Sequence, residues 1–328
     1  MSSQFIISLD FELMWGVRDK RSIESYGKQI LGGREAIPKI LELFRQHQIS
    51  ATWAVVGLLF AKNRDEMLAY TPKTLPDYKD RSLSPYASIE NFIGNNEKED
   101  PYHYGHDLIL KILEEPRQEI ATHTFSHYYS MEDGPSLAAF EADIHAAKSI
   151  AKISNCDLKS IVFPRNQISQ DHIKICAQLG ITSYRGNAES FSYRSRSNKE
   201  QTLFVRGLRL TDSILPLEGL HGYSLEEQTT GIVDLPASRM LRSVNTGAKR
   251  HISHLQTRRI RHEMTAAAKA NQMYHLWWHP HNFGINQTEN LQNLKTILEH
   301  FSSLKSTYGM QSLNMAEVGS QQLGFNSK

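Results

Sequence analysis

The sequence is poor in cysteine, with two in 328 residues. Cys156 and Cys176 cannot build a disulfide framework, so they read as ordinary buried thiols of a reducing compartment. No window approaches the roughly 20 consecutive apolar residues of a membrane span. Met1 to Asp10 has no basic leader region and no long apolar run before its first acid, so no export signal is expected there. Charge of one sign is also missing. Thirty-seven Lys and Arg stand against 35 Asp and Glu, so no nucleic acid partner is expected from overall charge, and any basic surface must be local. Neither an internal repeat nor a low-complexity segment is evident. With 40% hydrophobic residues the chain can bury a large core. It reads as soluble and cytoplasmic, one domain over residues 1–328, with peripheral membrane contact left open and the oligomeric state undetermined.

Apolar runs alternate with helical patterns. Phe5 to Leu9 reads as a buried strand, Arg34 to Gln48 as a helix with Pro38 in its first turn, and Ala51 to Leu59 as a second strand with its exit. Between about residues 61 and 106 the pattern dissolves into scattered prolines and tyrosines, the mark of an elaborated loop or lid. Its tyrosines either line a sugar site or pack. Leu108–Leu113 is helical, Glu119–Thr122 a strand, and Leu137–Ala151 an amphipathic helix that Ser136 caps. Further strands are expected at Ser160–Phe163, Ile181–Tyr184, Leu203–Val205, Gly231–Leu235 and Met273–Trp278. Helices are expected at Gln170–Leu179 and around Leu291–Phe301. Between Leu235 and His262 there are seven Lys or Arg residues and no acid. This basic segment, about 236–262, could hold phosphate or an anionic membrane surface, or simply be a solvated face.

Repeated strand-helix alternation predicts an α/β fold, either a barrel or a doubly wound sheet. Polar groups follow four of the strands directly: Asp10 and Glu12, His123 and His127, Arg165, and His279. In a parallel β/α barrel all such strand ends open on one face, where active sites gather. Asp10 and Glu12, two apart on extended chain, aim two carboxylates to one side. His123 and His127, four apart, would share a side of a helical turn with Cβ atoms about 5–6 Å apart, close enough to hold one metal ion. With 15 histidines, roughly one such pair is expected by chance, and His275 and His279 form another.

In order, Ser8-Leu9-Asp10-Phe11-Glu12, His123-Thr124-Phe125-Ser126-His127, Phe163-Pro164-Arg165-Asn166 and Leu276-Trp277-Trp278-His279 resemble the motifs of the polysaccharide deacetylase, or NodB-homology, family of metal-dependent carbohydrate esterases. The resemblance runs from residue 5 to about 300. It implies a distorted (β/α) barrel with fewer than eight full repeats, Asp10 as general base, His279 as general acid, and His123 and His127 as metal ligands. The family's second acid usually adjoins the base, where this chain has Phe11. Glu12 therefore takes that place as third ligand, in an acid-x-acid form of the motif. Arg165 resembles the arginine that fixes the base, in an altered sequence order. Trp277 and Asn166 are candidates for substrate contact. The implied cofactor is one divalent ion, zinc first, with cobalt, nickel, manganese or iron as alternatives. The implied reaction is removal of an N-acyl group, most simply acetyl, from an amino sugar, which in the cytoplasm would be a nucleotide-linked or lipid-linked precursor of a surface polysaccharide. A degenerate glycan-binding relative, a deformylase, or an amidohydrolase acting on a cyclic ureide are the competing readings.

Overall fold

The first strand, Gln4–Phe11 (β1), is buried along its whole length because it lies at the centre of a parallel sheet. The computed structural model describes residues 2–197, 200–225, 231–244, 247 and 250–324. Within them the later strands are β2 (Ala51–Val55), β3 (Gln118–Thr122), β4 (Ser160–Ile161), β5 (Ser183–Tyr184), β6 (Val233–Asp234), β7 (Arg239–Met240), β8 (Met273–Trp278) and β9 (Gln311–Ser312). Hydrogen-bonded neighbours run β6-β5-β4-β3-β2-β1-β8-β7, every pair parallel, and β9 joins the N-terminal end of β1. β6 and β7 are not paired, so the curled sheet stays open between them. The result is a distorted (β/α) barrel forming one domain.

Around the sheet lie α1 (Ile23–Gln46), α2 (Arg64–Tyr70), α3 (Tyr86–Asn91), α4 (His106–Glu114), α5 (Leu137–Ala151), α6 (Gln170–Gln178), α7 (Leu203–Asp212), α8 (Arg250–Lys269), α9 (Gln287–Tyr308) and α10 (Met315–Gln322). No helix among the described residues is long and apolar enough to cross a membrane.

The alternation of β1 sorts its side chains into two environments. Phe5, Ile7, Leu9 and Phe11 join the large helix-side core with Trp53, Phe44 and Trp278. Each such buried side chain contributes about 1.5–3 kcal/mol. Ile6, on the inner side, packs with Ala54, Ala121, Val162, Val233 and Met273, and Met315 and Val318 of α10 join that cluster. Ser8 and Asp10 follow on the same inner side towards the strand's C-terminal end. The inner column thus turns from apolar to polar where the strands finish.

Several expectations change. Helix α1 begins at Ile23, with a Ser22/Ser25 capping box, so Pro38 sits inside it and not in its first turn. The reason lies in Gly32 and Gly33, which weaken the helical signal but admit a neighbour. A Cβ at Gly33 would stand 2.6 Å from His281 Cα, and one at Gly32 2.1 Å from the Gly284 carbonyl oxygen. The 3-10 turn Pro280–Phe283 after β8 therefore packs directly on α1. Leu203–Val205 is the first turn of α7 and not a strand, since Thr202 Oγ1 accepts from the Val205 N–H at 3.3 Å and caps it. In the 61–106 segment Tyr78, Tyr86 and Tyr104 are buried, and Tyr70 and Tyr102 pack on the main core. These tyrosines are packing residues.

Four of the seven basic residues of the segment, Arg250, Arg258, Arg259 and Arg261, lie on α8. Arg239 and Arg259 are buried and ion-paired with Glu263, each at 2.9 Å, and Arg239 also pairs with Asp212. Lys249 lies outside the described residues.

Candidate metal centre and active site

β3 delivers His123 to the C-terminal face, and the next four residues form a tight loop, not the helical turn that the spacing suggested. Thr124 (φ 63°) and His127 (φ 57°) take the left-handed conformation, which side chains rarely adopt without compensation. Asp143 of α5 supplies it. Its buried carboxylate accepts the N–H of Phe125 at 2.6 Å and of Ser126 at 3.1 Å, together with the Ser126 hydroxyl. Thr124 Oγ1 accepts the Tyr128 N–H at 2.7 Å. Burial pushes the Asp143 carboxyl up to about 6, against the hydrogen bonds that favour its charge.

This loop folds both imidazoles towards Glu12, which follows β1. Glu12 Oε2 lies 3.0 Å from His127 Nε2 and 3.3 Å from His123 Nε2. One ligand atom from each of the three residues lies within 4.8 Å of the others, and all three side chains are buried. His123 Nδ1 is 2.8 Å from the Val162 carbonyl oxygen, which can only accept, so Nδ1 donates and, in the ligating form of the ring, the Nε2 lone pair faces Glu12. Two acceptors would then oppose each other across 3.3 Å, an arrangement that a shared cation resolves. Burial brings His127 down to about 4, with Glu12 opposing, so it is neutral near pH 7, the form that ligates. Burial raises the Glu12 carboxyl, but His279, His123 and His127 outweigh it and hold the group well below the ordinary range. Two nitrogens and one carboxylate oxygen fit zinc or another divalent first-row ion.

Beside this triad stands Asp10. Arg185 grips it with both terminal nitrogens, at 2.6 and 2.8 Å, and is itself buried. Burial tends to raise the Asp10 carboxyl, yet Arg185, with His123 and His279, keeps it below its ordinary value. Arg185 is held in turn by Ser8 Oγ at 3.1 Å, by Asn166 Oδ1 at 2.9 Å and by the Trp277 ring, 4.2 Å from its guanidinium carbon. His275 belongs to the same support, with Nδ1 3.0 Å from the Leu235 carbonyl oxygen and Nε2 2.9 Å from Ser8 Oγ. The second histidine pair in the sequence is thus one supporting residue and one site residue. His279 Nε2 stands 3.7 Å from Asp10 Oδ2 and 3.6 Å from Glu12 Oε1, and at 21% side-chain exposure it is the accessible member of the group. His281 stacks on it with ring centroids 5.0 Å apart.

Asp10, Glu12, His123, His127 and His279 are therefore brought together, with Trp277 and Asn166 one contact away. Arg165 is not. After Pro164 the backbone turns left-handed at Arg165 (φ 56°) and Asn166 (φ 53°), which sends Arg165 to Asp19 and over the Tyr129 ring at 3.9 Å, and gives Asn166 to Arg185. The arginine that clamps Asp10 is Arg185. Sequence reasoning missed it, and also Asp143; the one signal available for Arg185 was its place immediately after β5, at the same strand end as the other groups.

Residues 26–184 match the family model described as Polysaccharide deacetylase. That stretch contains His123 and His127, while Asp10, Glu12, Arg185 and His279 lie outside it. No curated protein matches the chain. Among solved structures, one assigned as a polysaccharide deacetylase from Mycobacterium smegmatis is similar over 100% of this chain and 92% of its own, with TM-score 0.60 and 11% identity. The Puue allantoinase structure is similar over 99% of this chain and 91% of its own, with TM-score 0.56 and 11% identity. A probable polysaccharide deacetylase from Pseudomonas aeruginosa PAO1 covers the same shares, with TM-score 0.53 and 9% identity. At such identities the structures speak for the fold alone, which is the distorted barrel described above. The sequence match covers residues 26–184, just under half of the chain, and over that stretch, which carries His123 and His127, the chain is similar to the polysaccharide deacetylase family.

Proposed function

We propose that this protein is a metal-dependent hydrolase that removes an N-acyl group, acetyl in the first instance, from an amino sugar. The observation that carries the reading is the convergence of Glu12, His123 and His127 on one point, with the Arg185-clamped Asp10 and the accessible His279 at its edge. The similarity of residues 26–184 to the polysaccharide deacetylase family supports a carbohydrate deacetylase.

A divalent ion at the triad, zinc by donor set, would supply a Lewis acid that polarises the acyl carbonyl and lowers the pKa of water. Asp10, kept ionised by Arg185, accepts the proton of the attacking water. The water oxygen bonds to the acyl carbon, the C–N bond breaks, and protonated His279 gives its proton to the departing nitrogen. His279 is placed for that role, with its Nε2 3.7 Å from Asp10 Oδ2 and 3.6 Å from Glu12 Oε1 and its side chain partly open to solvent. Ser8, His275 and Asn166 fix Arg185, and through it the orientation of Asp10.

The test is metal content by elemental analysis together with acetate release. About one equivalent of ion is expected in the wild type, lost in Glu12→Ala and His123→Ala, while Asp10→Asn retains the ion and loses turnover. A protein that takes up no ion on reconstitution overturns the mechanism and favours a glycan-binding role.

A further inference from the structure

Beyond Trp277 and Asn166 the active-site face opens into a cavity of about 140 Å³. That is roughly ten times the space one water needs, enough for a group of several heavy atoms. Its described lining contains six arginines and no acid. Two of them are already balanced, Arg165 by Asp19 and Arg239 by Asp212 and Glu263. The other four, Arg194, Arg196, Arg209 and Arg242, make no ion pair with a carboxylate among the described residues. Arg196 donates to the carbonyls of Phe191, Ser192 and Arg194, and Arg209 Nε to that of Ser192 at 2.7 Å. These contacts aim the guanidinium groups without neutralising them. Glu218, the acid nearest in effect to Arg209, is occupied by Ser190 and Ser192. Burial and mutual repulsion press both Arg209 and Arg242 below the ordinary arginine value.

Crowding like charges costs stability, and a cavity of arginines with free donor edges is matched to a tetrahedral oxyanion. Four cations without a carboxylate partner among the described residues also call for more than one negative charge, which separates a phosphoryl ligand from a single carboxylate. We propose that this cavity is the subsite for a diphosphoryl group on the amino-sugar substrate, with Trp277 marking the passage from the subsite to the reacting end. The inference rests on the deacetylase reading for what the rest of the substrate is, though not for the anion itself. The basic segment 236–262 contributes Arg239 and Arg242; the remaining arginines come from the 165–209 region, much of which reads as loop in sequence.

Inorganic pyrophosphate titrated into the full chain by calorimetry tests the subsite. The double variant Arg209→Gln/Arg242→Gln should bind it at least about tenfold more weakly than the wild type, while Arg258→Gln, at an exposed position on α8, should not differ. Chelation at the triad is common to all three proteins and cancels in the comparison. The double variant should stay folded without ligand, since the loss of the Arg209 hydrogen bond to the Ser192 carbonyl is offset by relieved repulsion and no ion pair among the described residues is broken. Equal pyrophosphate affinity in a folded double variant overturns the proposal. Acetate release from a neutral N-acetylhexosamine, a nucleoside diphosphate N-acetylhexosamine and a short-chain lipid diphosphate N-acetylhexosamine then identifies the carrier. A lower KM for a diphosphate sugar than for the neutral one, raised in the double variant, supports the subsite; equal KM values for all three sugars count against it. No acetate from any sugar alongside selective pyrophosphate binding refutes the deacetylase reading and leaves the subsite standing.

Discussion

Gly16 lies against the carboxylate of Glu12 so closely that a Cβ at position 16 would stand 1.9 Å from Glu12 Cδ. The short 3-10 turn Leu13–Gly16 folds back under the side chain that leads it, and only the absence of a side chain at its last residue leaves the carboxylate its place beside His123 and His127.

Gly16→Ala should therefore displace Glu12 without touching any ligand. The expected outcome is a fall in metal affinity of about 10–100-fold, as when ligand-positioning groups are lost, with the circular dichroism of the wild type. Competition against a metal-binding dye measures it, and wild-type affinity in this variant would mean that Glu12 does not ligate.

Asp143 makes a second position where the site is set from outside. Asp143→Ala leaves the amides of Phe125 and Ser126 buried without acceptors, at a cost of about 1–3 kcal/mol each. Chemical denaturation should show that loss, and the loop carrying His127 should bind metal more weakly. A variant as stable as the wild type would remove Asp143 from this account.

The pH dependence of stability should come in part from Asp212. Burial raises its carboxyl, but His221, the Glu218 backbone N–H and Arg239 more than reverse this, so its folded value lies below the unfolded one. Its contribution is then fully present above the unfolded value of about 3.9 and is lost as pH falls through the folded value. Asp212→Asn, which strands Arg239 on one side, should cost about 3–5 kcal/mol at pH 7. Urea unfolding at pH 7 and near pH 3 should show the gap from the wild type narrowing at the lower pH; a constant gap would mean that Asp212 does not titrate differently on folding.

What could be read in the sequence was local. Leu137–Ala151 with its Ser136 cap, and Met273–Trp278 as a strand, have the bounds that periodicity and capping predict. The polar clusters after β1, β3 and β8 do converge. What stayed hidden depends on partners far along the chain. Arg185 pairs with a residue 175 positions away and follows a strand of two residues, too short for a pattern. The acids that neutralise Arg239 and Arg259 lie outside the basic segment, Glu263 directly after it and Asp212 well before it, so a charge tally of that segment counts buried ion pairs as free charge. The glycines of α1 hid part of a helix because their value lies in what they let approach.

The order of the strands also orders the assembly of the site in time. Synthesis runs from the N-terminus, and the three triad residues are all present once residue 127 has emerged, just past the ends of strands β1 and β3, which are joined through β2. The other edge of β1 waits for β8, some 260 residues later, and His279 arrives with it. A nascent chain can therefore gather the groups proposed to bind the ion long before it holds the proposed general acid.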